Sequence, residues 1–195
     1  RRIIKRFKPD VVIGVGGFAS GPTMKTASSL NIPIVIQEQN SFPGVTNKLV
    51  AKKAEKICVA YNDMDRWFPK EKIVLTGNPL RNNIKPLDDQ KEECLKFFDL
   101  NPDKKTILLV GGSQGALGIN RGISAMLHTF KDNDYQMIWQ TGTHYYDKAV
   151  EEVKNNGLQD RIKCTVFIDR MDMAYAAADV VISRAGAMSI SELSL

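Results

Sequence analysis

Val11-Val12-Ile13-Gly14-Val15-Gly16-Gly17-Phe18-Ala19-Ser20-Gly21-Pro22 reads as a strand running into a glycine turn and then a helix. The β-branched run is short and continuous, as expected of a strand buried on both faces. The order returns at Thr106–Val110, followed by Gly111-Gly112-Ser113-Gln114-Gly115-Ala116. A shorter version is Val180–Ser183, followed by Arg184-Ala185-Gly186-Ala187-Met188-Ser189. Further strands are predicted over 33–37, 56–60, 72–75, 136–140 and 162–167. Helices are predicted over 22–30, 45–54, 91–98, 119–130, 145–155 and 171–178. Strands alternating with helices imply an α/β chain whose sheets are parallel and covered on both faces. The stretch Asn78-Pro79-Leu80-Arg81 with Lys85-Pro86-Leu87 reads as a linker. Two Rossmann-like domains are therefore expected, residues 1–80 and 81–195, both incomplete.

Composition narrows the class. The chain has 195 residues, 43% hydrophobic and 25% charged, as ordinary globular proteins are. Cys58, Cys94 and Cys164 are too few for a disulfide scaffold and read as reduced, buried thiols. No apolar run approaches the ~20 residues of a membrane span, and Arg1-Arg2-Ile3-Ile4-Lys5-Arg6 is not expected to be a signal peptide. Residues 1–80 hold 13 Lys+Arg against 6 Asp+Glu, whereas residues 81–195 hold 14 against 16. A basic half suits either an anionic partner or a solvated face. No nucleic-acid module signature accompanies it.

Parallel sheets bind ligands beyond the carboxyl ends of their strands. There, glycine turns let a phosphate approach the backbone, and helix N-termini offer free N–H groups. Three such turns favour a phosphate-bearing ligand over mere tight turning, and none is a P-loop. Gln37-Glu38-Gln39-Asn40 and Asn47 place amides and a carboxylate after a strand, suited to sugar hydroxyls or a peptide. Arg81 is either a diphosphate clamp or a surface residue. Glu192, on the helix after the third turn, is either a carboxylate that holds a ribose or a surface helix residue. Asp63-Met64-Asp65 and Asp132-Asn133-Asp134 match the Asp-x-Asp pattern of metal-dependent sugar transferases, but both fall in predicted turns. His128 and His144 have no partner at ligand spacing, so no metal or other cofactor is expected.

Taken in order, Gly16–Pro22, Glu38-Gln39-Asn40, Thr46-Asn47-Lys48, Gly77–Arg81, Gly111–Ala116 and Arg184–Glu192 resemble the MurG family. These are bacterial transferases with the GT-B fold. The resemblance implies transfer of N-acetylglucosamine from UDP-GlcNAc to lipid I, giving lipid II with inversion. It assigns Ser113, Gln114 and Arg81 to the donor diphosphate and the Ile168 backbone to uracil. Ala187, Met188, Ser189, Ile190, Ser191 and Glu192 would line the nucleotide, with Glu192 on the ribose. Gly16, Gly17, Ser20 and Gly21 form the acceptor-side loop, with Asn40 facing the reacting sugars. The catalytic group stays unassigned, with Glu38 and Asn47 as candidates. Gln37 stands where the family usually has His. The family's opening Gly-rich acceptor loop and closing Gln-Gln pair have no counterpart here, so the chain reads as the middle of such an enzyme. The resemblance also implies peripheral docking on the cytoplasmic membrane face, through anionic lipid and residues 1–8. The alternatives are a nucleotide-binding module without transfer activity and a related transferase with another lipid acceptor.

Overall fold

The computed structural model describes residues 1–82, 84, 87 and 90–195. Lys85 and Pro86 of the expected linker lie outside the described residues. The chain divides into two compact units, Arg1–Leu80 and Arg81–Leu195.

The first unit holds a four-stranded parallel sheet in the order β1 (Val12–Gly14), β2 (Ile34–Glu38), β3 (Lys56–Val59) and β4 (Ile73–Leu75). Helices α2 (Ser20–Ser28) and α3 (Val45–Val50) connect the first three strands, and α1 (Arg2–Phe7) precedes them. Paired residues of a parallel sheet share a face. One face carries Ile36 and Ile57, in register with each other, and packs on Met24, Ala27, Val50 and Ala51. The opposite face carries Ile13 beside Val35 and Cys58 beside Val74. Ile13 and Val74 are exposed there, so the expected covering of both faces is not found in this unit among the described residues. The expected helix over 45–54 also ends early. After Val50 the chain tightens into a 3-10 turn, Ala51–Lys53. The Lys72 ammonium donates to the Lys52 and Ala54 carbonyls beyond it, at 2.8 and 2.7 Å. A cation there meets the negative end of the helix.

The second unit has the order β7 (Ile162–Thr165), β6 (Tyr135–Gln140), β5 (Lys105–Val110) and β8 (Val180–Ser183), all parallel. Here both faces are covered. Ile123 of α5 (Leu117–Met126) and Ala149 and Val153 of α7 (Tyr146–Asn155) bury Leu109, Met137 and Trp139. Cys94 and Leu95 of α4 (Lys91–Phe97) and Met171 and Ala174 of α8 (Met171–Ala177) bury Leu108, Val110 and Ile138. The helix expected over 119–130 is two pieces, α5 and α6 (Thr129–Asp132). His128 Nδ1 bonds the Ala125 carbonyl and Thr129 Oγ1 donates to that of Met126, satisfying the end of α5 so that the chain can bend. The last helix is α9 (Ala187–Leu193). Burial pushes the Cys164 thiol up to about 12, so it stays protonated and acts as a packing group.

Asp179 fastens this unit. It accepts from Lys91 and Lys105 through one oxygen, at 2.8 and 2.9 Å, and from the Thr106 amide through the other, at 2.8 Å. Burial alone would raise its pKa, but Lys91, the Thr106 amide and Lys105 outweigh it and hold the carboxyl well below the usual range. Its stabilisation is therefore complete above the unfolded carboxylate pKa of about 3.9. It is lost as pH falls from there toward the lower folded value. Asp179→Ala is expected to cost about 2 kcal/mol at neutral pH. In urea unfolding that difference should shrink steadily below about pH 4.

Candidate functional site

In the first unit the carboxyl end of β1 carries the glycine turn expected on the acceptor side, and that of β2 carries the segment suited to sugar hydroxyls. After β1 the chain turns through Gly16 and Gly17 with φ of +83° and +77°, a region that only glycine enters without strain. Ser20 Oγ and Thr46 Oγ1 both donate to the Gly17 carbonyl, at 3.2 and 3.1 Å, and fix this turn against α2 and α3. Its amides remain available at the sheet edge.

Glu38 closes β2 and is 3% exposed. One of its oxygens accepts from the backbone and side-chain amides of Asn40, at 3.0 and 3.2 Å. The other accepts from the Gly44 backbone, at 3.0 Å, and from Asn47 Nδ2, at 2.9 Å. Four donors therefore converge on one buried carboxylate. Glu38 shapes the loop between β2 and α3 and leaves Asn40 at the surface. Asn47 is 2% exposed, and its Nδ2 lies 3.5 Å from where a Cβ on Gly16 would stand. Its Oδ1 is buried with no hydrogen-bond partner among the described residues, a state that costs about 1–3 kcal/mol. Of the two catalytic candidates, Glu38 is thus fully engaged in shaping its loop, whereas Asn47 keeps a free acceptor beneath the glycine turn. Gln37, in the position where the resembled family usually has His, donates weakly to the Gly77 carbonyl and Asn78 Oδ1, at 3.4 and 3.5 Å. Asn78 Nδ2 in turn donates to the Gln39 carbonyl, at 3.2 Å. This exchange ties the turn after β4 to the end of β2.

In the second unit Val110 pairs with Ser183, so the turns after β5 and β8 lie side by side. The Gly111–Ala116 turn is held from below by side chains that sequence reading missed. Gln140 Nε2 donates to the Gly112 carbonyl, at 2.9 Å, while its buried Oε1 has no partner among the described residues. Asn120 Nδ2 donates to the Thr141 carbonyl, at 2.7 Å, and Trp139 Nε1 to Asn120 Oδ1, at 3.0 Å. Gly115, at φ +75°, approaches so closely that a Cβ would stand 2.1 Å from the Thr141 carbonyl oxygen. Ser113 and Gln114 are left exposed on the rim. Behind them α5 starts with no side-chain cap, so its first amides are free to meet an anion.

Beside this turn the structure unites two residues proposed separately from sequence. Glu192 Oε1 lies 3.7 Å from the Arg81 guanidinium, and Glu192 Oε2 accepts from the Tyr175 hydroxyl, at 2.9 Å. Burial, followed by the Glu192 carboxylate, pushes the Tyr175 phenol well above its ordinary range, so it remains a donor. Tyr175 is a positioning residue with no sequence signal, one partly buried tyrosine in an apolar helix. Ile168 is 3% exposed and packs in the core, which leaves only its backbone to face a ligand. Ala187 to Glu192 run along α9. Asp134 pairs with Lys104 just before β6, at the amino end of the sheet, and Asp63 and Asp65 sit in a 3-10 turn. Asp132-Asn133-Asp134 therefore stands away from the turns at the carboxyl end of its own sheet.

Gly115→Ala is expected to displace the Gly111–Ala116 turn, since both its φ and the Thr141 carbonyl oppose a side chain. Hydrogen exchange at Ser113–Ala116 should rise about tenfold or more, with a stability loss of at least ~1 kcal/mol.

The family models agree with this division. The N-terminal domain of glycosyltransferase family 28 matches residues 1–59 and the C-terminal domain of the same family matches residues 106–195. A Parabacteroides distasonis protein named UDP-N-acetylglucosamine–N-acetylmuramyl-(pentapeptide) pyrophosphoryl-undecaprenol N-acetylglucosamine transferase is 57% identical across 100% of this chain and 53% of its own length. The protein of that name from Flavobacterium psychrophilum is 51% identical across 99% of this chain and 52% of its own. The chain thus spans about half the length of the curated relatives it matches. Among solved structures, MurG from Acinetobacter baumannii superposes with a TM-score of 0.63 at 30% identity, over 97% of this chain and 51% of that one. UDP-GlcNAc 2-epimerase from Neisseria meningitidis, at 16% identity and a TM-score of 0.63, shares the fold. With two glycine-turn sheets that match the two halves of one family in the right order, the chain belongs to glycosyltransferase family 28 and has the GT-B fold.

Proposed function

We propose that this chain is part of an inverting glycosyltransferase that moves N-acetylglucosamine from UDP-GlcNAc to lipid I, forming lipid II. The observation that carries this reading is the constellation in the second unit: an uncapped helix start behind a glycine turn, beside a ribose-suited Glu192 fixed by Tyr175 and Arg81. The relatives named above act on an undecaprenyl-pyrophosphoryl acceptor, and the family membership supports the same acceptor here.

In this reading residues 81–195 bind the donor. The diphosphate lies over the Gly111–Ala116 turn, with Ser113 and Gln114 at its oxygens and the ribose hydroxyls on Glu192. As the sugar carbon loses UDP, negative charge grows on the diphosphate. Preorganised amides, the α5 N-terminus and Arg81 stabilise that charge. The backbone at Ile168 reads the base. Residues 1–80 face the acceptor, whose diphosphate meets the Gly16-Gly17 turn and whose sugars meet Asn40. Asn47 offers its Oδ1, unpaired among the described residues, to a hydroxyl of the acceptor at that turn. Glu38 keeps these groups in place rather than removing a proton.

The basic half faces the cytoplasmic membrane surface. In α1, Ile3 and Phe7 are each 78% exposed beside Arg2, Lys5 and Arg6, so an apolar and cationic strip is open to anionic lipid. No helix among the described residues is long and apolar enough to cross a membrane.

Three outcomes test this reading in the full-length enzyme carrying this sequence, with radiolabelled UDP-GlcNAc. Glu192→Ala and Arg81→Ala should each lower kcat/KM for the donor by about 100-fold, the loss of a charged hydrogen-bond partner. Wild-type turnover in both would refute the donor site. Tyr175→Phe should raise the donor KM about tenfold while leaving kcat near wild type, because it frees Glu192 without removing it. Turnover should survive EDTA, and loss of activity restored by a divalent cation would overturn the amide-and-arginine account of the leaving group.

A further inference from the structure

Between α2 and α3 runs an apolar groove of about 680 Å³ that the donor and acceptor assignments leave unused. It begins at Gly17, Gly21 and Thr46, the residues that build the acceptor-side turn, and ends at Ser28 and Lys53. Its floor is Ile34 and Val50 and its walls include Pro22, Val45 and Leu49. Phe18 stands at the mouth and is 95% exposed, while Val45 and Leu49 are 69% and 78% exposed. Three large apolar side chains in the open along one groove mark a binding surface. Lys25 and Lys53 on its rim give that surface a positive border.

We propose that this groove binds the first isoprene units of the polyprenyl acceptor. The inference rests on the acceptor reading above. Continuity decides the occupant. A diphosphate seated on the Gly16-Gly17 turn sends its alkyl substituent away from the sugars, and the apolar groove opens at that turn. The ligand is anionic at one end and purely hydrocarbon at the other. The site matches it with free turn amides, then an apolar trough, then rim lysines. Leu49 follows Val45 by one helical turn, about 5.4 Å deeper along the groove. A chain of one isoprene unit ends near Val45, whereas a long chain passes Leu49.

The test is Leu49→Glu in the full-length enzyme, assayed with two acceptors that share one headgroup, undecaprenyl-linked and single-isoprene-linked. Leu49 is largely exposed, so the substitution removes no core contact. The expected result is a KM for the undecaprenyl acceptor raised about tenfold, with the single-isoprene KM and the UDP-GlcNAc KM unchanged. A benzophenone-tipped polyprenyl diphosphate should label α2 or α3 in wild type and lose that labelling in Leu49→Glu. Equal effects on both acceptors, together with weaker pelleting on phosphatidylglycerol vesicles lacking acceptor, would make the groove a membrane dock and overturn the proposal. No effect on either acceptor, with labelling elsewhere, would overturn it in favour of coverage by another segment of the full chain. If wild type glycosylates neither acceptor, the acceptor reading itself falls and takes the groove with it. Turnover without chain-length dependence in the variant sinks the groove alone.

Discussion

Backbone lies directly against backbone where Gly115 meets Thr141, and the donor-side edge depends on that contact. A Cβ on Gly115 would stand 2.1 Å from a carbonyl oxygen, and one on Gly142 would stand 2.3 Å from the Gln114 oxygen. Neither turn can therefore carry a side chain at its crossing point. The two loops fix each other, and the buried amides of Asn120 and Gln140 fasten the pair to the sheet. What remains free is what a phosphate needs: main-chain N–H groups, an uncapped helix start and the Ser113–Gln114 rim. Binding groups set in advance by a rigid frame lose little entropy when ligand arrives.

Glu38, which is buried, and Glu192, which is half-buried, differ in their partners. Glu38 takes four hydrogen bonds from its own loop, all within nine residues of sequence. It can give nothing to a ligand without releasing that loop. Glu192 has one hydroxyl donor at 2.9 Å and a cation at a loose 3.7 Å, the state in which the proposed ribose contact would find it. A buried carboxylate saturated by main-chain and side-chain amides is architecture, whereas one held by a single hydrogen bond and a loose ion pair keeps capacity for recognition.

Much of this was legible in the residues. Short apolar runs ending in glycine mark β1 and β5, and the glycine turns after them mark where the next helices begin. The division after Leu80 was visible as proline punctuation. Sequence could not show that α3 stops at Val50, because Lys72, which satisfies the carbonyls beyond it, is far away in the chain. Nor could it show that one face of the first sheet is open, since Ile13 and Val74 look like any other strand residues. Motif order supplied Arg81 and Glu192 separately. Their pairing and the role of Tyr175 are tertiary facts, because the phenol and the carboxylate are 17 residues apart. Glu38 is ambiguous in sequence for a related reason. A carboxylate among amides at a strand end looks the same in sequence whether it faces inward or outward.

The two units solve one problem with different surfaces. Each places a glycine turn at the carboxyl end of a parallel strand, and each keeps a buried amide with an unpaired oxygen beneath it, Asn47 in one and Gln140 in the other. Yet the second unit buries both faces of its sheet, and its turn is walled by polar rim residues. The first opens from its turn into a hydrocarbon-lined groove bordered by lysine. A diphosphate would satisfy either turn, so the phosphate alone cannot distinguish donor from acceptor. In the proposed reading the distinction comes from what each diphosphate carries on its far side: a ribose and base that would meet Glu192 and the Ile168 backbone, or an apolar chain that would meet Val45 and Leu49. In the proposed function the same glycine-turn device would serve two substrates, and the surface beside it would set which one each unit accepts.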